Sequence, residues 1–242
     1  MKSRLEWQTE EEGTLIVYDE SGEWMQLEVY RISADEAELK LKRAEIVETT
    51  QKINNISEKI IYKVIDCLSE AFRLLWEEGY NESVLVEQQG TKFWEILDST
   101  DVVEHIYSEY MMQRIFEQKC DNIHNSDNLV FSQEEDEVSC KDKQGDFSCR
   151  LLRYPDGELP AFYVYEVEVK KQKRNQGIAT GCLTTLFEIL TKDTPAMVCL
   201  QVGSYNEPAV HLYEKLGFTV QQELCYYSIE EGMQSWQGKS GN

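Results

Sequence analysis

The chain has 242 residues, 41% of them hydrophobic and 11% aromatic, with 45 acidic side chains against 24 basic and a formal net charge of −21. That apolar share is enough for a packed core, in one large domain or two small ones, and excludes wholesale disorder. So negative a surface repels phosphate backbones; it argues against a nucleic-acid partner and favours a cationic substrate, although solubility alone would also account for it.

From the N-terminus, residues 14–18 (TLIVY) and 24–30 (WMQLEVY) read as strands joined through the turn Asp19–Glu20–Ser21–Gly22. Residues 36–48 begin with period-two alternation, Leu39 and Leu41 against Lys40 and Lys42, which predicts a third strand. Between Glu58 and Glu78 apolar residues recur at spacings of three and four, the pattern of an amphipathic helix stopped by Gly79. A strand at 83–87 follows, then helices over 91–98 and 101–119, and the polar run 120–127 suggests a domain boundary. Short strands are expected at 129–132, 137–141 and 147–153, with the turn YPDGELP (154–160) before the aromatic and β-branched strand 161–169. A basic glycine-containing loop leads to a helix over 180–191 with Leu183, Leu186, Phe187 and Leu190 as its stripe. Then come a buried strand at 196–202, a short helix at 207–216 ended by Gly217, and a last strand at 218–229. The polar tail 231–242 reads as flexible. The seven cysteines form no CxxC pair, and with three histidines they give no metal-ligand spacing, so no metal is expected. Thiols in apolar runs fit a reducing compartment. The start lacks an apolar signal-peptide region and no run has the length of a membrane span, so the expectation is a cytoplasmic protein without a membrane partner.

The loop KKQKRNQGIAT (170–180) concentrates Lys170, Lys171, Lys173 and Arg174 in an acidic chain. A loop entering a helix N-terminus offers free backbone N–H groups and the positive end of the helix dipole, so it reads either as an anion site or as an ordinary solvated loop. Gly177 and Ala179 permit close backbone approach. Val169, four residues and then Arg174–Asn175–Gln176–Gly177–Ile178–Ala179 match V-x4-[QR]-x-x-G-x-[GA]. About thirty residues on, Asn206 to Phe218 match N-x-x-A-x-x-L-Y-x-x-x-G-F. With both motifs in order, the C-terminal half resembles the GNAT superfamily of acyl-CoA N-acyltransferases.

That resemblance implies an α/β (α+β) fold, a mixed and mostly antiparallel sheet flanked by helices, with acetyl-CoA as co-substrate and an amine as acceptor. It implies backbone contacts from Val167 and Val169 to the pantetheine arm, and a pyrophosphate held by the amides of Asn175, Gln176, Gly177, Ile178, Ala179 and Thr180. Arg174 would set the start of the loop, Asn206 would bond the cofactor arm, and Tyr213 would protonate the leaving thiolate. Asn206 also reads as a plain helix cap and Tyr213 as a core residue. Where many family members carry a Glu before the second motif, this chain has Gln201, which cannot accept a proton at neutral pH. Glu166 and Glu168 are the nearest substitutes, Glu168 being the candidate base, and each also reads as a surface carboxylate. Without a base the alternative is a non-catalytic acyl-CoA sensor or scaffold.

The expected division is an N-terminal α/β domain at 1–119, the acetyltransferase-like domain at 120–230 and the tail. The first half has the order of a degenerate copy of the same fold, but its junction TTQKINNIS (49–57) has no glycine and no R-x-x-G-x-A. Otherwise it is a helper domain that closes over the acceptor site or makes a homodimer contact.

Overall fold

The computed structural model describes residues 1–44, 58–100, 103–118, 128–134, 137–154 and 159–228. The chain divides into two compact units, Met1–Ser108 with Leu224–Asn242, and Glu109–Glu223.

In the first unit, β1 (Lys2–Trp7), β2 (Glu12–Asp19), β3 (Gly22–Arg31) and β4 (Glu36–Ala44) form an antiparallel meander. Helix α1 (Glu58–Glu77) then crosses over to β5 (Glu82–Gln88), which runs parallel to β4 from Glu36↔Glu82 to Lys40↔Val86. A parallel pair requires such a crossover, since a tight turn cannot reverse the chain twice. Val64, Cys67, Leu68, Ala71, Phe72 and Leu75 of α1 are buried, the one-sided stripe that packs on Leu15, Leu27, Leu39 and Leu85 of the sheet. At its end Gly79 takes φ +100°, and the Tyr80 amide reaches back to the Leu75 carbonyl, closing the orphan carbonyls of the last turn. Helix α2 (Lys92–Asp98) starts where the Thr91 side chain accepts the Trp94 amide at 3.0 Å. Strand β1 lacks a strong hydrophobic signal, alternating only exposed with half-buried residues, and the sequence pattern does not announce it.

The segment 101–119, expected to be helical, is instead strand β6 (Glu104–Phe116). The reason is tertiary: its residues 109–116 pair antiparallel with β11 (Ala196–Gly203) over a full eight-residue register, which outweighs a local pattern readable in either period. The units accordingly divide after Ser108, inside β6, rather than at the polar run near 120, which lies outside the described residues.

The second unit continues with β7 (Leu129–Glu134), β8 (Glu137–Asp142), β9 (Phe147–Tyr154) and β10 (Ala161–Val169), again an antiparallel meander. A 3₁₀ turn at Lys171–Lys173 enters α3 (Ile178–Leu190). β11 then pairs parallel with β10, followed by α4 (Glu207–Lys215) and β12 (Thr219–Ser228), whose residues from Leu224 on belong to the first unit. β11 alternates buried and half-buried residues along its whole length. Val198 and Leu200 join Met112, Val164, Leu183, Leu186, Phe187 and Tyr213 in one core. Both units therefore run through the same order: four antiparallel strands, a crossover helix, a parallel fifth strand and a short helix. The junction 49–57 of the first copy lies outside the described residues, as does the tail 231–242.

Candidate active site

β10 and β11 pair only from Ala161↔Met197 to Val164↔Leu200, although β10 continues to Val169 and β11 to Gly203. The cause is a bulge. Between Tyr165 and Glu168 the register of β10 against β9 shifts, with Glu166 in the left-handed region at φ +48°. A bulge bends its strand and sharpens the twist, so the two strands part beyond Leu200. The split opens at Gln201.

Beyond the split the chain turns into α3 through Asn175 at φ +61° and Gly177 at φ +77°. These are left-handed conformations that Gly adopts freely and that Asn tolerates better than most residues. Gly177 is the N-cap and supplies no side chain, and the helical ladder begins only with the Gly181 amide on the Gly177 carbonyl at 2.9 Å. The first-turn amides of Ile178, Ala179 and Thr180 precede that ladder and point out of the helix end, where a negative charge is favoured. Arg174 Nε donates to the Val169 carbonyl at 3.1 Å, tying the loop to the end of β10. Of the loop's lysines, Lys170 and Lys173 pair with Asp146 at 3.0 and 3.7 Å. These lysines, Lys170 first, hold the Asp146 carboxyl below its ordinary range. Part of the loop's positive charge is thus balanced within the protein.

A cavity of about 530 Å³ lies where β10, this loop, α3 and α4 meet. Among the residues proposed from the two motifs, Val167, Val169, Arg174, Asn175, Gly177, Ile178, Ala179, Thr180, Asn206 and Tyr213 all line it. Gln176 does not; its side chain donates to the Gln172 carbonyl at 3.1 Å. Glu168 does not either: it is exposed, because past the bulge Val167 and Val169 take the inward positions and Glu166 and Glu168 the outward ones. Glu166 is held there by Arg150 at 3.1 Å. Neither carboxylate of this strand lines the cavity. Lys173, Lys215 and His211 also line the cavity. Lys215 lies inside the second motif at a position the motif leaves free, so only its charge could have pointed to it. Among the described residues the cavity lining carries Lys173, Arg174, Lys215 and His211 and no carboxylate, in a chain of net charge −21.

Asn206 caps α4, its Oδ1 accepting the Ala209 amide at 3.4 Å, while it also lines the cavity. Tyr213 is 7% exposed and packs edge-on against Phe218 at 5.9 Å. Burial first, then the neighbouring Cys149 and Tyr163, pushes its phenol up to about 12. Gln201 donates from Nε2 to Glu109 Oε2 of β6, a residue that the expected helix over 101–119 had left without a role. No group of three or more His, Cys, Asp or Glu among the described residues is arranged to hold a metal ion. No described helix is long and apolar enough to cross a membrane.

A split parallel strand pair, a basic loop entering the α3 N-terminus and Tyr213 are thus set around one cavity. The family follows directly: a model of the acetyltransferase (GNAT) family matches residues 106–218, and this segment of the chain belongs to that family. Mycothiol acetyltransferase of Corynebacterium aurimucosum is 32% identical over 78 residues, which are 32% of this chain and 26% of that protein. The chain thus matches about a quarter of the length of that curated relative. A GCN5-related N-acetyltransferase from Sphaerobacter thermophilus superposes with a TM-score of 0.57 at 8% identity, over 90% of this chain and 79% of that one. An acetyltransferase of the GNAT family from Colwellia psychrerythraea gives 0.52 at 11%, over 90% and 86%. A tandem GNAT protein from the clavulanic acid biosynthesis pathway gives 0.50 at 7%, over 93% and 82%. At such identities the likeness is one of fold, and it extends over both units; the tandem neighbour fits the repeated order of elements.

Proposed function

We propose that this chain is an N-acetyltransferase that binds acetyl-CoA in the cavity at the β10–α3–α4 junction and passes the acetyl group to a primary amine by direct attack in a ternary complex. The observation that carries this reading is the uncapped first turn of α3 lining a cavity whose charged side chains are all cationic, against so acidic a chain. Such a site suits a pyrophosphate. The amides of Asn175 to Thr180, with Lys173, Arg174 and Lys215, would hold it. The backbone of Val167 and Val169 would pair with the pantetheine arm along the edge of β10 that the split turns away from β11; Asn206 would steady that arm, and the thioester would reach the open notch. Tyr213 would donate to the departing sulfur. The first unit is read as a second, degenerate copy of the fold without the loop motif, so one acetyl-CoA per chain is expected. The free thiols among the described residues support a reducing compartment such as the cytoplasm.

The test is calorimetric titration with acetyl-CoA and with free CoA, on wild type and on Gly177→Glu. The variant puts a carboxylate on the cradle and a side chain on a backbone at φ +77°, where the strain is about 1–2 kcal/mol. Saturable binding near one equivalent per chain, lost in a folded variant, is the expected result. Absence of binding by folded wild type, or full binding by the variant, would refute the site.

A further inference from the structure

Beyond the split, one face of the second unit's sheet carries a cluster that neither sequence motif includes. Side chains alternate along a strand, and the register β6–β11 pairs Gln113 with Cys199, Met111 with Gln201 and Glu109 with Gly203. These six positions share one face, and Tyr163, paired with Cys199 across β10–β11, shares it too. This is the half-buried face, opposite the one on which Val164, Val198, Leu200 and Met112 enter the core. On it Gln201 is the first β11 residue past the split, and its amide donates to the Glu109 carboxylate. Glu109 stands level with Gly203, within the length of β11 that β10 has left. The lack of a side chain at Gly203 is itself used: a Cβ there would point onto this same face and come within 2.6 Å of the Tyr205 ring. The exposed Tyr205 ring therefore covers the strand beside Glu109. On the same face of β10, level with Cys199, Tyr163 has its phenol raised first by burial and next by the Glu109 charge. A carboxylate past the split, on a face that also carries Tyr163 and Tyr205, offers a primary ammonium ion an ion-pair partner, aromatic surface and a proton acceptor.

We propose that Glu109, positioned by Gln201, is the base for the acyl transfer, and that the Glu109–Tyr163–Tyr205 cluster is the seat of a cationic primary amine. The idea rests on the acyl-transfer reading of the preceding section. The step balances as follows. R–NH₃⁺ gives one proton to the Glu109 carboxylate, directly or through one water. The neutral nitrogen forms a C–N bond to the thioester carbonyl carbon, making a tetrahedral oxyanion with a protonated nitrogen. As the C–S bond breaks, the sulfur takes a proton through Tyr213, which is resupplied from that nitrogen. The products are the amide, the CoA thiol and one proton, released from Glu109 to solvent. Gln201 cannot accept the proton, but it can fix the carboxylate that does. This resolves the apparent loss of a base on β11.

The experiment measures thiol release against a panel of primary amines that includes spermidine and kanamycin, from pH 6 to 10. It uses wild type, Glu109→Gln and Glu109→Asp, with acetyl-CoA titrated into each. Glu109→Gln should lose 100-fold or more of kcat/KM at neutral pH, in the range for removal of a general base. The deficit should shrink toward pH 10, where the amine sheds its own proton, and acetyl-CoA affinity should stay at the wild-type level. Glu109→Asp, which keeps the carboxylate, should recover part of the rate. Equal kcat/KM in wild type and Glu109→Gln across the range would overturn the assignment, and so would an Asp variant no more active than the Gln variant. A wild type that titrates acetyl-CoA yet acetylates none of the amines would overturn the acyl-transfer reading itself, and the base with it.

Discussion

Replacing Tyr213 by Phe removes one oxygen from a ring that is 7% exposed and leaves the edge contact with Phe218 in place, so the fold should be undisturbed. The size of the catalytic effect follows from the phenol's acidity. Burial pushes it up to about 12, whereas an alkyl thiol ionises near 8.5. Outright transfer of the phenolic proton to the thiolate is therefore uphill by about 5 kcal/mol at 1.36 kcal/mol per pH unit. Tyr213 cannot act as a free-standing acid. It can donate a hydrogen bond to the sulfur as charge builds, and relay a proton drawn from the attacking nitrogen. Loss of one aimed donor to a developing anion in a water-poor site costs about 2.7–4 kcal/mol, or 10²–10³ in kcat. The assay is thiol release at saturating acetyl-CoA, alongside titration of the variant. A kcat within threefold of wild type, or a parallel loss of acetyl-CoA affinity, would refute the reasoning, the first because no donor was needed, the second because the hydroxyl served binding.

Two further predictions concern stability. Asn206→Ala removes the cap of α4 and should lower stability by about 1 kcal/mol, read as a lower midpoint in urea, whereas Asn206→Asp should keep the midpoint near wild type. Unfolding should also become easier in alkali. Burial is the first cause that raises Tyr213 and Cys67 to about 12 and Cys182 to about 11 in the folded protein. Each folded value lies above its unfolded one, so the stability these groups hold is complete below about pH 9 and is lost as pH rises through 11 to 12. Tyr213 alone would give up about 2–3 kcal/mol. Melting temperature should be flat from pH 7 to 9 and fall steeply above pH 10; a protein that melts as high at pH 11 as at pH 8 would contradict this.

The loop and helix start proposed to hold the pyrophosphate are contiguous in the sequence. A glycine that must take φ +77°, an Asn at φ +61° and a basic run before an apolar helix are all written within 170–180, and the structure sets them around one cavity. The strand order was legible where period two was clean, as along β11. At 101–119 neither period is clean, and only pairing with β11 decides.

That one misread segment also hid the base. Glu109 and Gln201 are 92 residues apart and share no motif; what brings them together is the register of β6 on β11. Glu166 and Glu168 are the carboxylates of β10, and their outward aim follows from a bulge that no local pattern reveals. The substitution of Gln for Glu at 201 is then no sign of a lost activity. An amide donor at the split is useful only if an acceptor faces it, and a Glu at 201 would set two carboxylates against each other, raising the pKa of one as the two repel. Gln201 and Glu109 thus make sense as a pair: the strand at the notch supplies the donor and its neighbour supplies the charge. The double variant Gln201→Glu with Glu109→Gln, which exchanges the two roles, should recover more activity than Glu109→Gln alone. If it recovers none, the carboxylate's position on β6 matters beyond its hydrogen bond.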